Sequence, residues 1–237
     1  MTREELLQLA TSFRDTAAEE LATAETADDI HATTLRAHER LNELETRLFA
    51  ELRVRVDCKE GCGTCCHLGK IDARAHEVFA LADWIQRNFT PEDRDAVLDR
   101  ARAHAAAVAP LSLEEHLRTV RACPLLRDMR CSAHPARPGA CRIGHSTDVR
   151  ICERAFRNPD DLKAKGGSHA ESKLAMTVAS DGTSFAFLEA GFDKTAYDLG
   201  SALAEALSDD TALKRWLAGG RAFSDATIAK QEPAAGG

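Results

Sequence analysis

Between residues 3 and 25, Leu6, Leu9, Phe13, Ala17 and Leu21 recur at spacings of three and four, the period of one helix face. Thr26-Ala-Asp-Asp29 supplies a capping hydroxyl and first-turn acids for a second helix running to about Arg55. Its apolar stripe is Ala37, Leu41, Leu44, Leu48 and Leu52, and the short joint predicts an antiparallel hairpin of the two helices. Asp72 is placed to cap a helix through about Asn88 with Val78, Phe79, Ala82 and Ile85 on one face. Thr90-Pro91-Glu92-Asp93 starts another, ending before Pro110, and Ser112-Leu-Glu-Glu115 opens a short one to about Val120. A further short helix is expected over 148–158. Residues 172–190 fit two patterns. Met176, Val178, Phe185 and Phe187 alternate around Asp181-Gly182 as in a hairpin, while Leu174 with Val178 and Phe185 with Leu188 suit a helix. Two closing helices are expected over 194–208 and 210–218, the second ended by Gly219-Gly220.

Composition sharpens this to a fold class. Hydrophobic residues make up 44% and aromatics only 5%, and abundant alanine favours close-packed helices over sheets. The expected architecture is all-α, a helical bundle with an irregular cysteine-rich metal-binding core. Residues 1–56 form an N-terminal helical hairpin packed on the core, and 57–158 the cysteine-cluster region. A C-terminal helical region spans 159–225, opening with a polar linker over Pro159–Ser168, and 226–237 is a disordered tail. The net charge of −7, without a basic patch, argues against a nucleic-acid partner. The start, Met-Thr-Arg-Glu-Glu-Leu-Leu, is polar, unlike a signal peptide, and no run of about 18 apolar residues predicts a membrane span. A cytoplasmic location is therefore expected, and there thiols stay reduced.

The chemistry lies in the thiols. Eight cysteines in a reducing compartment point to metal rather than to disulfides. Cys58-Lys-Glu-Gly-Cys62-Gly-Thr-Cys65-Cys66-His67 crowds four of them into nine positions, with Gly61 and Gly63 to turn the backbone. Such a knuckle suits a tetrahedral zinc or an iron–sulfur cluster. Cys123, Cys131, Cys141 and Cys152 follow in a stretch broken by Pro124, Pro135, Pro138 and Gly139, which metal–thiolate bonds would restrain. The expected ligand set is drawn from Cys58, Cys62, Cys65, Cys66, Cys123, Cys131 and Cys141. Neighbouring side chains diverge, so Cys65 and Cys66 are expected to face different metals or different edges of one cluster. Cys152, on a helix-like stretch, reads equally as a buried structural thiol. His67 is read as solvated or hydrogen-bonded, and His134 and His145 are candidates for ligation or support. His31, His38, His76, His104, His116 and His169 are read as surface or packing residues. Arg137 and Arg142 are expected to offset thiolate charge, the alternative being a surface salt bridge.

Cys58-Lys-Glu-Gly-Cys62-Gly-Thr-Cys65-Cys66, Cys123-Pro-Leu-Leu, Cys131-Ser-Ala-His and Arg137-Pro-Gly-Ala-Cys141-Arg142 together resemble the YkgJ-type cysteine-cluster family. That family is described as a zinc- or iron-chelating domain and named for a CxxCxxCC signature. The resemblance covers about residues 58–145; the first spacing here is three residues where the signature has two, which sets Cys58 apart. It implies a metal cofactor, and the flagellin lysine methylases look like relatives. An iron–sulfur cluster, of the [4Fe-4S] type for example, is put ahead of Zn2+ because there are more thiolates than one zinc can use. Electron transfer and metal handling are the functions expected. A zinc-stabilised interaction scaffold and a metal-cluster enzyme are the alternatives, and no residue is assigned a catalytic role. Cys58-x3-Cys62-x2-Cys65 also has radical-SAM spacing, but the strand–helix alternation of that barrel is missing.

Overall fold

The computed structural model describes residues 1–68, 70–161 and 167–230. Residues 162–166 of the Pro159–Ser168 linker and 231–237 of the tail lie outside the described residues. The tail expected to be disordered from 226 is ordered as far as it is described: Asp225–Thr227 is a 3-10 turn and Ile228 bridges Tyr197. Among the described residues there are ten α-helices and two small two-stranded sheets. The all-α expectation holds.

Helices α1 (Arg3–Ala22) and α2 (Ala27–Glu51) each begin with a reciprocal capping box, Thr2 with Glu5 and Thr26 with Asp29. Glu20 of α1 accepts from Arg36 (3.0 Å) and Arg40 (2.7 Å) of α2, tying the pair together. Ala37, Leu41, Leu44 and Leu48 are buried as the stripe predicts. Leu41, Leu44 and Leu48 pack with Phe13 of α1 and with Ala175, Met176 and Ala179.

Those last residues belong to α8 (Ala170–Glu189), one continuous helix that decides the 172–190 ambiguity against the hairpin. Ala175, Ala179, Gly182, Thr183 and Ala186 are buried at helical spacing, whereas Leu174 and Phe185 are exposed. Gly182 explains the intimacy of α1 and α8: a Cβ there would collide with the Ala10 backbone carbonyl. Gly182→Ala gains about 1 kcal/mol of helix propensity but must push two backbones apart, a cost of about 1–3 kcal/mol. A net loss of stability is expected in a urea melt; an unchanged midpoint would show that the helices can part cheaply.

Helix α3 (Ala75–Asn88) is the centre of the main core. Val78, Phe79, Leu81, Ala82 and Ile85 are buried, and His76 stacks on Phe187 of α8 with ring centroids 4.0 Å apart. Around it lie α4 (Pro91–Val108), α9 (Leu199–Ala206) and α10 (Ala212–Leu217), contributing Val97, Leu203 and Trp216 to one apolar cluster. Thr90 caps α4 with Pro91 in its first turn, and Ser112 caps α5 (Leu113–Arg118).

Two expected helices start later than their patterns suggest. Asp72 does not cap α3; Asp72–Arg74 is a strand, β1, paired antiparallel with β4 (Ala196–Asp198) in the register Asp72 to Asp198 and Arg74 to Ala196. The helix expected from 194 accordingly begins at Leu199. Pairing across about 125 residues outweighed local propensity at both points, as tertiary context routinely does. Among the described residues no helix is long and apolar enough to cross a membrane.

Candidate metal centre

After α2 the chain runs without regular structure to the first cysteines. Asp57 fixes its course: its N–H donates to the Ser146 carbonyl (2.9 Å), and its carboxylate accepts from Val149 N–H (3.0 Å) at the start of α7 (Val149–Arg157). Cys58 Sγ then accepts the Ser146 N–H at 3.3 Å. From Cys65 to His67 the backbone forms a 3-10 turn. Cys65 and Cys66 lie close enough to act on each other: their interaction draws the Cys65 thiol below its ordinary range and, with burial, pushes Cys66 above it.

The second cysteine segment is stitched directly to this turn. Cys123 N–H donates to the Cys66 carbonyl (2.8 Å) and Arg121 N–H to the His67 carbonyl (2.9 Å). A hairpin of β2 (Leu126–Arg127) and β3 (Arg130–Cys131) follows, turning through Asp128 and Met129 in left-handed backbone (φ 49° and 60°). Two positive-φ residues are what a tight hairpin of this kind requires. Its turn presses on the first segment: a Cβ on Gly63 would stand 2.9 Å from the Met129 carbonyl oxygen. Glu60 and Arg130 pair across the same seam at 3.0 Å.

The loop after β3 is held from inside. Buried Arg142 donates to the Pro135 carbonyl (2.6 Å), the Arg137 carbonyl (2.8 Å) and Asn42 Oδ1 on α2 (2.9 Å). It is therefore a staple of the loop that carries Cys141, and the surface salt bridge is not its role. Arg137 donates to the His134 ring and carbonyl at 3.0 Å, and its charge helps to draw down the Cys65 thiol. Glu77, buried on α3, accepts the Gly139 N–H at 2.7 Å where α6 (Gly139–Ile143) begins. The sequence reading passed over Glu77, although an acid between His76 and Val78 on an apolar stripe is its own signal.

All eight cysteines are free thiols, Cys58 and Cys65 exposed and the rest half-buried. Their mutual influence groups them. Burial first, then Cys123, Cys131 and Cys65, push the Cys141 thiol up. Burial raises Cys123 to about 11, with Cys131 and Cys65 adding to it. Cys66 feels Cys65, Cys123 and Cys141. Two sulfurs accept the backbone N–H two residues on, Cys123 from Leu125 and Cys131 from Ala133, bonds that favour the thiolate. Cys58 lies on the outer side, where burial and then Cys65, Cys152 and Cys62 act against its ionisation. Cys152 is thus within electrostatic reach of Cys58. Among the described residues, no three thiol sulfurs are among the groups whose ligand atoms lie within 4.8 Å of one another.

The histidines divide. His145 is fully engaged, its Nδ1 with the Ile143 carbonyl (3.1 Å) and its Nε2 accepting from His169 N–H (3.0 Å). His134 is exposed and bonded to Arg137. His67 donates through Nδ1 to the Gly63 carbonyl (3.0 Å), and its ring meets Phe156 edge-on.

Residues 57–162 match the CxxCxxCC family, described as a "Putative zinc- or iron-chelating domain". This stretch is similar to a CxxCxxCC domain. The match reaches past Cys141 to include α7 and Cys152, so all eight thiols fall inside it. Neither the curated proteins nor the solved structures give a match to the chain. Thiols from two segments, N–H donors to sulfur and a nearby guanidinium form a donor set of the kind that soft or borderline metals such as zinc and iron take.

Proposed function

We propose that the CxxCxxCC-like domain holds an iron–sulfur cluster or other iron centre, serving electron transfer or metal handling. In this reading Cys65, Cys66, Cys123, Cys131 and Cys141 supply the inner thiolates, and Cys58 and Cys62 the outer ones. Residues 1–56 and 159–225 form the helical frame around the 57–158 metal-binding region. The observation that carries it is the union of remote segments, Cys123 N–H on the Cys66 carbonyl at 2.8 Å. That bond sets five thiols in each other's electrostatic reach.

The number of candidate thiolates supports iron–sulfur over one zinc: a single tetrahedral zinc takes four ligands, and the two segments offer more thiols than that. When bound, such a cluster supplies one-electron chemistry; the chain's residues orient it and offset its charge.

The test is anaerobic purification followed by iron and acid-labile sulfide analysis with a visible spectrum. Brown protein containing both elements, bleached by dithionite, is expected. Colourless protein with stoichiometric zinc would favour the scaffold reading instead.

A further inference from the structure

Outside the two cysteine segments, though within electrostatic reach of Cys123, three polar side chains from three elements converge in the interior. His104 comes from α4, His116 from α5, and Asp198 from the end of β4, where it caps α9. All three are buried, and their ligand atoms lie within 4.8 Å of one another. His104 Nε2 is 3.0 Å from Asp198 Oδ1, and His116 Nε2 is 3.9 Å from Oδ2. The histidines read as ordinary packing residues are thus gathered on one carboxylate.

The arrangement is better than hydrogen bonding alone requires. Oδ1 already accepts Ser201 N–H (3.0 Å), Ser201 Oγ–H (2.6 Å) and His104. Among the described residues no hydrogen bond to Oδ2 is found, and His116 Nε2 stands 3.9 Å from it, too far for one. His104 Nδ1 is buried without a partner. Two atoms each about 2.1 Å from one ion stand at most about 4.2 Å apart, and each imidazole Nε2 lies within that of one of the two carboxylate oxygens. Gly200 reserves the room, because a Cβ there would collide with the His104 ring. The Ser201 bonds orient the carboxylate, as outer partners of metal ligands do.

We propose that His104, His116 and Asp198 form a second metal site, separate from the thiolates, for a divalent first-row transition ion such as Zn2+. Two imidazoles and a carboxylate suit such ions and leave a coordination position open. The ligand chemistry is nitrogen and oxygen, so its occupancy can be read apart from any sulfur-bound metal.

The test is titration of the full chain with Co2+, whose sulfur charge-transfer absorption distinguishes thiolate sites from nitrogen–oxygen ones. Wild type is expected to bind about one cobalt per chain without sulfur character. His116→Gln should weaken that ion at least about tenfold and leave the sulfur-to-cobalt absorption unchanged. This variant keeps the His104–Asp198 bond, so its melting curve should stay near wild type. Equal non-sulfur cobalt binding in wild type and a folded His116→Gln would overturn the proposal. A second readout needs no variant: proton NMR of cobalt-loaded wild type should show hyperfine-shifted imidazole N–H resonances from two histidines. Their absence would overturn it as well, whatever the thiolate site holds.

Discussion

Replacing Cys141 with serine is expected to lower the metal affinity of the protein by at least about tenfold and to loosen the fold. Cys141 stands among Cys123, Cys131 and Cys65, and its loop hangs on Arg142 and Glu77. A serine hydroxyl is a hard, weakly acidic donor and does not replace a thiolate toward a soft metal. Because metal binding free energy is also folding free energy, the melting temperature should fall with the metal content. Cys65→Ser should act alike from the other segment. Cys152→Ser, on helix α7, should leave the metal content close to wild type. Elemental analysis per chain with a thermal melt checks all three. Full metal retention in Cys141→Ser would remove that residue from the ligand set.

Glu77→Ala is expected to destabilise the protein by about 3–5 kcal/mol, the range for removing one member of a buried charged network. Glu77 is only 6% exposed and accepts from Gly139 N–H (2.7 Å), Arg74 N–H (2.9 Å) and His38 Nε2–H (3.4 Å). Truncation strands these donors in the interior, and it unties the Cys141 loop from α3. The same network sets the acid limit of the fold. Burial alone would raise the Glu77 carboxyl, but its hydrogen bond from His38 and the nearby imidazoles more than offset this and hold it at about 2. Its stabilisation is complete above its ordinary value of 4.5 and is lost as pH falls toward about 2. Burial lowers His76 from 6.5 to about 4, so its contribution is complete above 6.5 and is lost as pH falls through that window. Both act in one direction, and stability should decline on acidification from about pH 6.5. Chemical denaturation at several pH values reads both effects. A Glu77→Ala midpoint equal to wild type would show that the carboxylate ties nothing together.

The helical frame was legible because its signals are local. Thr26, Thr90 and Ser112 cap where their sequences say, and the α2 stripe is buried at Ala37, Leu41, Leu44 and Leu48, while Leu52 stands half-buried just past the helix end at Glu51. The cysteine segments were legible because glycine, proline and clustered thiols serve no ordinary packing need. What escaped depends on distant partners. Strand β1 exists only because β4 lies beside it. The β2–β3 turn uses Asp128-Met129 rather than the Asn-Gly that would announce it. Residues 172–190 carried both periodicities, and the glycine that suggested a turn is there to admit α1. His104, His116 and Asp198 are isolated in sequence; the packing of α4 on α9 brings His104 to Asp198, and α5 adds His116.

The central claim is that thiolates from 58–66 and 123–141 share one metal centre. Cadmium NMR tests it most directly, since scalar coupling to cysteine β-protons names the residues bound to each ion. At least one cadmium resonance should correlate with β-protons from both segments, Cys66 and Cys123 among them. Resonances that each correlate with one segment only, or with none, would contradict the account.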